Sequence, residues 1–335
     1  MRILAVDDDP TMIELLEVML LDLGYTDVTL VSDGHRVMKQ FDGTSEFDCI
    51  LLDINMPKIT GIELCRLIRS DARSSDIPVV MMTALRDQKS ADAAFRAGAI
   101  DYVNKPFDMI ELEMRLRSIA QLNEKRHNKR VNKVEYPPLN LKSKNGLEKI
   151  KLDEIDDLID YTALCNYLTH LSLAGLESRQ VVAVKLMQFG YILERTSPQE
   201  LSFLLSEIAG VIASEFHKYD CMVAYCGDGA FLVVTDKSRL EASVQLEESV
   251  SNALNEKALE FDDGLGVFLD VAISNPIRPN TSKKQRVRKT FDRAIGRAEL
   301  RLGRKANMGG ARTYATSRGL RLVVAGNADD TFRLC

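Results

Sequence analysis

The residues of this chain best suited to chemistry are acids that terminate apolar runs. Arg2-Ile-Leu-Ala-Val-Asp7-Asp8-Asp9 passes from four apolar side chains into three carboxylates, and Cys49-Ile-Leu-Leu-Asp53, followed by Asn55-Met-Pro57, repeats the pattern. An apolar run of this length reads as a buried strand, so each set of acids is delivered to a strand tip. Convergent carboxylates need a cation. A few hard oxygen ligands suit Mg²⁺, which keeps several waters and shares the rest of its shell with phosphate oxygens. The implied chemistry is phosphoryl transfer. Two further runs end in groups that would serve it: Pro78-Val-Val-Met-Met-Thr83-Ala84 ends in a hydroxyl, and Asp101-Tyr-Val-Asn-Lys105-Pro106 in an ammonium.

These tips must be held by a regular scaffold. Between the runs, Thr11 to Leu23 carries Met12, Leu15, Leu16, Val18, Met19 and Leu20 at helical spacing, and later helices are expected to start near Gly34, Gly61, Ser90 and Asp108. Alternation of strand and helix predicts a parallel α/β sheet. In such sheets ligands bind at the carboxyl ends of the strands, where all four tips lie. Asp9 is read as a turn residue before Pro10.

Asp7-Asp8, Asp53-Ile-Asn-Met-Pro57 with Gly61, Thr83-Ala84 and Lys105-Pro106 resemble, in order and approximate spacing, the receiver domain of two-component response regulators over residues 1–122, which implies a doubly wound α/β fold with a parallel, five-stranded, flavodoxin-like sheet. The resemblance implies that Asp53 is the nucleophile, taking a phosphoryl group from a histidine kinase or phosphotransfer protein; carboxylates are established covalent nucleophiles. It implies that Asp8 and Asp53, Asp7 through water, and the backbone carbonyl of Asn55 hold Mg²⁺. Lys105 would pair with a phosphoryl oxygen, Thr83 would donate its hydroxyl to another, and Tyr102 would follow Thr83 inward. Taken singly, each residue has an ordinary reading: a solvated loop, a β-branched strand residue, a half-buried aromatic. Four tips with the required chemistry, taken together, select the functional one.

At 335 residues the chain exceeds one ordinary core and suggests two domains. Its formal charge of −5 is uneven: residues 1–122 hold 21 acidic and 13 basic side chains, and the remainder carries +3. Six cysteines, at 49, 65, 165, 221, 226 and 335, show no Cys-x-x-Cys spacing, so reduced structural thiols are expected. No run approaches the roughly 20 apolar residues that span a bilayer, and the chain begins directly with a strand; a soluble, cytoplasmic protein is expected, with no membrane partner. Residues 123–150 read as a polar helical extension, basic from Lys125 to Lys133, and a linker containing Pro137-Pro138.

A second domain, 151–318, opens on Asp160-Tyr-Thr-Ala-Leu-Cys-Asn166, followed by an expected strand at 181–189, a helix at 200–212, a strand pair at 221–234 and a strand at 266–274; 319–335 is read as a tail. The opening motif, this order of elements, and a turn Gly227-Asp-Gly-Ala-Phe231 resemble GGDEF diguanylate cyclase domains, which implies an α+β fold with a mainly antiparallel sheet. The chain departs from that family where chemistry is required. Lys185 and Met187 stand where the family has metal-binding acids, and Gly229 and Ala230 replace the signature's acids. Leu193 and Ser202 occupy the guanine-recognising positions. His217 stands where a product-inhibition Arg would be needed and is read as a surface residue. The expectation is a fold retained and a reaction lost.

Gly227-Asp228-Gly229 is also similar to the hairpin of class III adenylate cyclases, but the partner strand again offers Lys185 and Met187, so Asp228 reads as a turn residue. From Ser282 to Lys305, ten of 24 residues are Lys or Arg. Phe291, Ile295, Ala298 and Leu302 recur there at helical spacing, so an amphipathic helix with solvated charges is the simpler account and nucleic acid is not expected. The sequence therefore describes a response regulator, not an enzyme, with an inactive GGDEF-like output acting through a downstream protein partner or as a homodimer. The alternatives are a nucleotide cyclase with unusual ligands and a nucleic-acid-binding regulator using residues 282–305.

Overall fold

The computed structural model describes residues 1–42, 46–84, 88–131, 157–236, 240–279, 283–308, 312–315, 321–324 and 333–334. The linker residues 132–156, including Pro137-Pro138, lie outside the described residues, as do most of 319–335 and the side chains of Lys125 to Lys133. The chain forms two units, one of Met1–Ser143 with Thr162–Tyr167, the other of Lys144–Tyr161 with Leu168–Cys335.

The first unit is built on β1 (Ile3–Val6), β2 (Val28–Val31), β3 (Cys49–Asp53), β4 (Val79–Thr83) and β5 (Asp101–Asn104), in the order β2-β1-β3-β4-β5. All four pairings are parallel. β1, β3 and β4 are buried along their whole length, as expected of parallel strands covered on both faces. Two apolar clusters pack against the sheet. One includes Leu4, Val6, Ile50, Leu52, Leu64 and Ile68; the other includes Ile3, Ala5, Leu16, Leu20, Leu51, Leu112 and Leu116. Each fully buried aliphatic side chain of this kind contributes about 1.5–3 kcal/mol.

The helices are α1 (Pro10–Asp22), α2 (Gly61–Ser70), α3 (Gln88–Arg96) and α4 (Met109–Val131). Asp9 caps α1, its side chain accepting from Thr11 N, with Pro10 in the first turn where a missing N–H costs nothing. At α2, Thr60 and Glu63 form a reciprocal capping box. The helix expected from Gly34 is instead two 3₁₀ turns, Gly34–Arg36 and Met38–Phe41. Asp33 caps the first of them through His35 N, and a segment this short has no room for a full α-helical face.

The second unit carries α5 (Tyr161–His170, with its 162–167 stretch in the first unit), α6 (Leu173–Glu177), β6 (Arg179–Leu186), α7 (Phe189–Arg195), α8 (Pro198–Phe216), β7 (Met222–Gly227), β8 (Ala230–Asp236), α9 (Ser243–Glu256), β9 (Val271–Ile273) and α10 (Lys284–Met308). Its main sheet runs β7-β8-β6-β9 with every pairing antiparallel. The strand expected from Gly266 to Ser274 is regular only over Val271–Ile273, where it pairs with β6. A three-stranded antiparallel sheet follows, β10 (Arg312–Ala315), β11 (Arg321–Val324) and β12 (Arg333–Leu334), so the segment read as a tail contains two strands. Among the described residues no helix is long and apolar enough to cross a membrane.

Candidate functional site

Parallel register brings the tips of β1 and β3 side by side: Val6 pairs with Leu52, so the next residues, Asp7 just past β1 and Asp53 at the end of β3, are neighbours at the same edge. Asp7, Asp8 and Asp53 each offer a carboxylate oxygen, and these atoms lie within 4.8 Å of one another. Asp7 is 1% and Asp53 4% exposed. Two buried carboxylates this close would repel without compensation. Lys105, just past β5, supplies it: its ammonium lies 2.6 Å from Asp7 Oδ2 and 2.7 Å from Asp53 Oδ1.

Backbone donors fix the remaining oxygens. Asn55 N donates to Asp53 Oδ2 at 3.0 Å and Asp9 N to Asp7 Oδ1 at 3.1 Å. Burial pushes the Asp53 carboxyl above its ordinary range, opposed by the Lys105 hydrogen bond and charge and by Asn55 N–H, and reinforced by Asp7. Burial disfavours the Lys105 ammonium, but its hydrogen bonds to Asp53 and Asp7 outweigh that and hold its pKa above the usual value.

Gly61 completes the wall. A Cβ there would stand 2.0 Å from the Asp53 carbonyl oxygen, so the start of α2 approaches the β3 tip more closely than any side chain permits. Thr83, 3% exposed, ends β4, and its carbonyl accepts from Lys105 N at 2.7 Å. Tyr102, on β5, is half-buried. Its ring meets Phe95 edge-on with centroids 6.0 Å apart, and Phe95 meets Tyr167, also of the first unit, at 5.5 Å. Burial, aided by Asp101, pushes the Tyr102 hydroxyl up to about 12. Three oxygen acids at one strand edge suit a hard divalent cation. Asp9 stands apart, serving as the α1 cap.

The second unit's hairpin is built differently. Gly227, Asp228 and Gly229 all have positive φ, the backbone that a tight two-residue turn demands. A Cβ on Gly229 would strike the Phe189 ring at 2.6 Å, a physical reason for the absence of an acid there. Ala230 pairs with Lys185 across β8 and β6. Lys185, 8% exposed, donates to Asp228 Oδ2 at 2.7 Å and to the Asp228 carbonyl at 2.5 Å, with Glu299 at 3.9 Å. Asp228 is thus both turn residue and counter-ion. The sequence reading missed this pair, although a lysine inside an apolar strand signals a carboxylate partner. Met187 is half-buried beyond β6, Leu193 is buried on α7, and Ser202 is half-buried on α8. His217 is exposed and meets Asp157 at 3.1 Å.

Known proteins match the first unit. The response regulator receiver domain family matches residues 3–117. The chemotaxis protein CheY1 of Helicobacter pylori is 32% identical over 124 residues, 37% of this chain and 100% of that protein. The DNA-binding response regulator MtrA of Mycolicibacterium smegmatis is 38% identical over 123 residues, 37% of this chain and 52% of that protein. A solved receiver domain of a sensor histidine kinase from Pseudomonas aeruginosa, described with a magnesium ion coordinated in its active-site cleft, is 35% identical. It covers 36% of this chain and 97% of its own, with a TM-score of 0.33. The chain spans about half the length of the first curated relatives it matches. With its five parallel strands, its acids at one edge and a full-length match to a single-domain relative, the chain belongs, through residues 3–117, to the response regulator receiver family.

Proposed function

We propose that the chain is the response regulator of a two-component phosphorelay, phosphorylated on Asp53, whose second unit signals by binding a protein partner or a second copy rather than by making a nucleotide. The observation that carries the first part is the convergence of Asp7, Asp8 and Asp53, with Lys105 paired to Asp7 and Asp53. An Asp53 carboxylate oxygen attacks the phosphorus of a phosphohistidine. The P–N bond breaks as the P–O bond forms, and the imidazole leaves with the bonding pair and takes a proton. Asp7, Asp8, Asp53 and the Asn55 carbonyl would hold Mg²⁺, whose charge offsets that of the transferring group. Lys105 is placed to turn from Asp53 to a phosphoryl oxygen, and Thr83 to donate its hydroxyl to another.

The inactive GGDEF-like reading of the second unit is supported by the antiparallel order β7-β8-β6-β9 with a tight β7–β8 hairpin. It is supported further by the side chains at the acid positions. Lys185 holds its own counter-ion there, and Met187, Gly229 and Ala230 offer no carboxylate, so two metal ions and a triphosphate would lack ligands. Relatives named as DNA-binding or transcriptional regulators share only the matched N-terminal part, which fits a phosphoacceptor joined to a separate output.

The test is incubation of the full chain with Mg²⁺ and a small phosphodonor, followed by mass spectrometry. Label should map to Asp53, vanish in Asp53→Asn and fall with a chelator, while Thr83→Ala should still accept it. Label mapped elsewhere, or persisting in Asp53→Asn, refutes the assignment.

A further inference from the structure

We propose that the exposed face of α10 binds the phosphate backbone of a nucleic-acid duplex. The inference rests on this helix alone and stands whether or not the second unit is GGDEF-like. Of the apolar residues expected on its inner face, α10 buries Phe291 and Ala298 and half-buries Ile295 and Leu302; Val287 and Ala294 are buried beside them, and the helix packs on β6, β8 and β9. Spacing alone could not say which of its many cations are neutralised. Two are, and they point inward: Arg301 reaches Glu247 at 2.8 Å, and Lys305 reaches Glu247 and Asp270 at 3.3 Å each.

The outward cations behave differently. Arg286, Lys289, Arg293, Arg297 and Arg304 are all exposed, and among the described residues none of them has an ion-pair partner. At about 100° per residue they fall within an arc of about 80°, and from Arg286 to Arg304 they run about 27 Å along the axis. The one position the row skips is filled by Leu300, 69% exposed. Gly296 and Gly303, where a Cβ would meet nothing within 4 Å, leave the flank of this row open, so no side chain screens the guanidinium groups from an incoming surface. The helix's two acids, Asp292 and Glu299, lie roughly 100° round from the row's centre.

A single-sign row of this kind fits an anion that repeats along a line. Duplex nucleic acid offers that repeat, and 27 Å corresponds to about eight base-pair steps. Four of the five cations are Arg, whose planar fork takes phosphate oxygens two at a time. An anionic membrane is disfavoured because a helix lying in a bilayer surface needs its apolar face free, and here that face is buried in the sheet. α10 lies with its apolar face buried against the sheet, so the row meets a duplex from outside, at its phosphates, and the contact proposed is with the backbone.

The experiment uses the full chain and a fluorescent DNA or RNA duplex of about 20 base pairs, titrated between about 50 and 200 mM salt. Binding should weaken with salt with a log–log slope of about −4, reflecting four or five phosphate contacts. The double variant Arg293→Glu/Arg297→Glu should bind at least about tenfold more weakly and flatten the slope by about 2. Arg36→Glu/Lys39→Glu, with the same change of net charge on the first unit, should bind as the native chain does. Circular dichroism confirms that each variant is folded. Failure to bind at low salt overturns the proposal, as does an unchanged affinity in the folded α10 variant, an equal loss in the Arg36/Lys39 variant, or binding to phosphatidylserine vesicles but not to duplex.

Discussion

The ammonium of Lys105 lies 2.7 Å from the carboxylate of Asp53, with Asp53 almost wholly removed from solvent. The carboxylate proposed to take phosphate is thus already paired with a cation. On the function proposed above, Lys105 would turn from the carboxylate to the added oxygens, beside the charge that Mg²⁺ would supply.

This pairing sets a direction for pH. Burial raises the Asp53 pKa, and Lys105 is the largest influence opposing it. In metal-free protein, carboxyl carbon NMR should show Asp53 titrating above the ordinary value of about 3.9, and Lys105→Met should move it higher still. Because the folded pKa exceeds the unfolded one, Asp53 opposes folding as pH rises from the ordinary value through the raised one. Asp53→Asn should therefore be more stable, relative to the native chain, at neutral pH than in acid. A downward shift in Lys105→Met would show that Lys105 does not hold the carboxylate in its charged form.

Gly61 gives a steric prediction. The atoms that an added Cβ would meet, Asp53 O and C and Ile54 Cα, are backbone, so no side chain can turn away to make room. Gly61→Ala should cost at least about 2 kcal/mol in urea unfolding and slow labelling of Asp53, since relief requires moving the strand tip that carries it. An alanine variant with native stability would mean that β3 and α2 can separate freely.

The Lys185–Asp228 pair is asymmetric, Lys185 being buried and the Asp228 side chain 77% exposed. Removing the acid leaves a buried cation with only the backbone carbonyl of residue 228 and Glu299 at 3.9 Å to offset it, whereas removing the lysine leaves an acid that water can solvate. Asp228→Ala should destabilise the chain by about 1–3 kcal/mol and Lys185→Met by less than about 1 kcal/mol. Neither variant, nor the native chain, should turn GTP or ATP into a cyclic nucleotide with Mg²⁺ or Mn²⁺. The reverse order of stabilities, or turnover that disappears in Asp228→Ala, would restore a catalytic reading of the hairpin.

Much of the first unit was legible because buried parallel strands are continuous apolar runs, and the acids break those runs at their ends. The four tips at Asp7, Asp53, Thr83 and Lys105 could be read from sequence, and the parallel sheet places them at one edge. The segment after Gly34 was not legible: its residues suit a helix, but a cap at Asp33 and a short path between β2 and β3 leave only 3₁₀ turns. Asp9 was legible as a turn residue before Pro10, but that its side chain caps α1 follows only from the geometry of that helix. In the second unit, the Lys185–Asp228 pair lies between residues 43 positions apart, which local pattern cannot join. The α10 cations were visible in sequence. Their division into paired and unpaired sets was not, because it depends on where Glu247 and Asp270 fall on other elements.

The strand order β2-β1-β3-β4-β5 also fixes a timetable. Asp7 and Asp53 become neighbours as soon as β1 and β3 pair, but their counter-ion lies beyond β5, the last strand of the sheet to be made. At roughly 5–20 residues per second, a nascent chain carries the two carboxylates for roughly 3–10 s before Lys105 has been synthesised. Through that interval the growing chain has a reason, in mutual repulsion, to leave its central strands ajar. The arrival of β5 is the step that removes it.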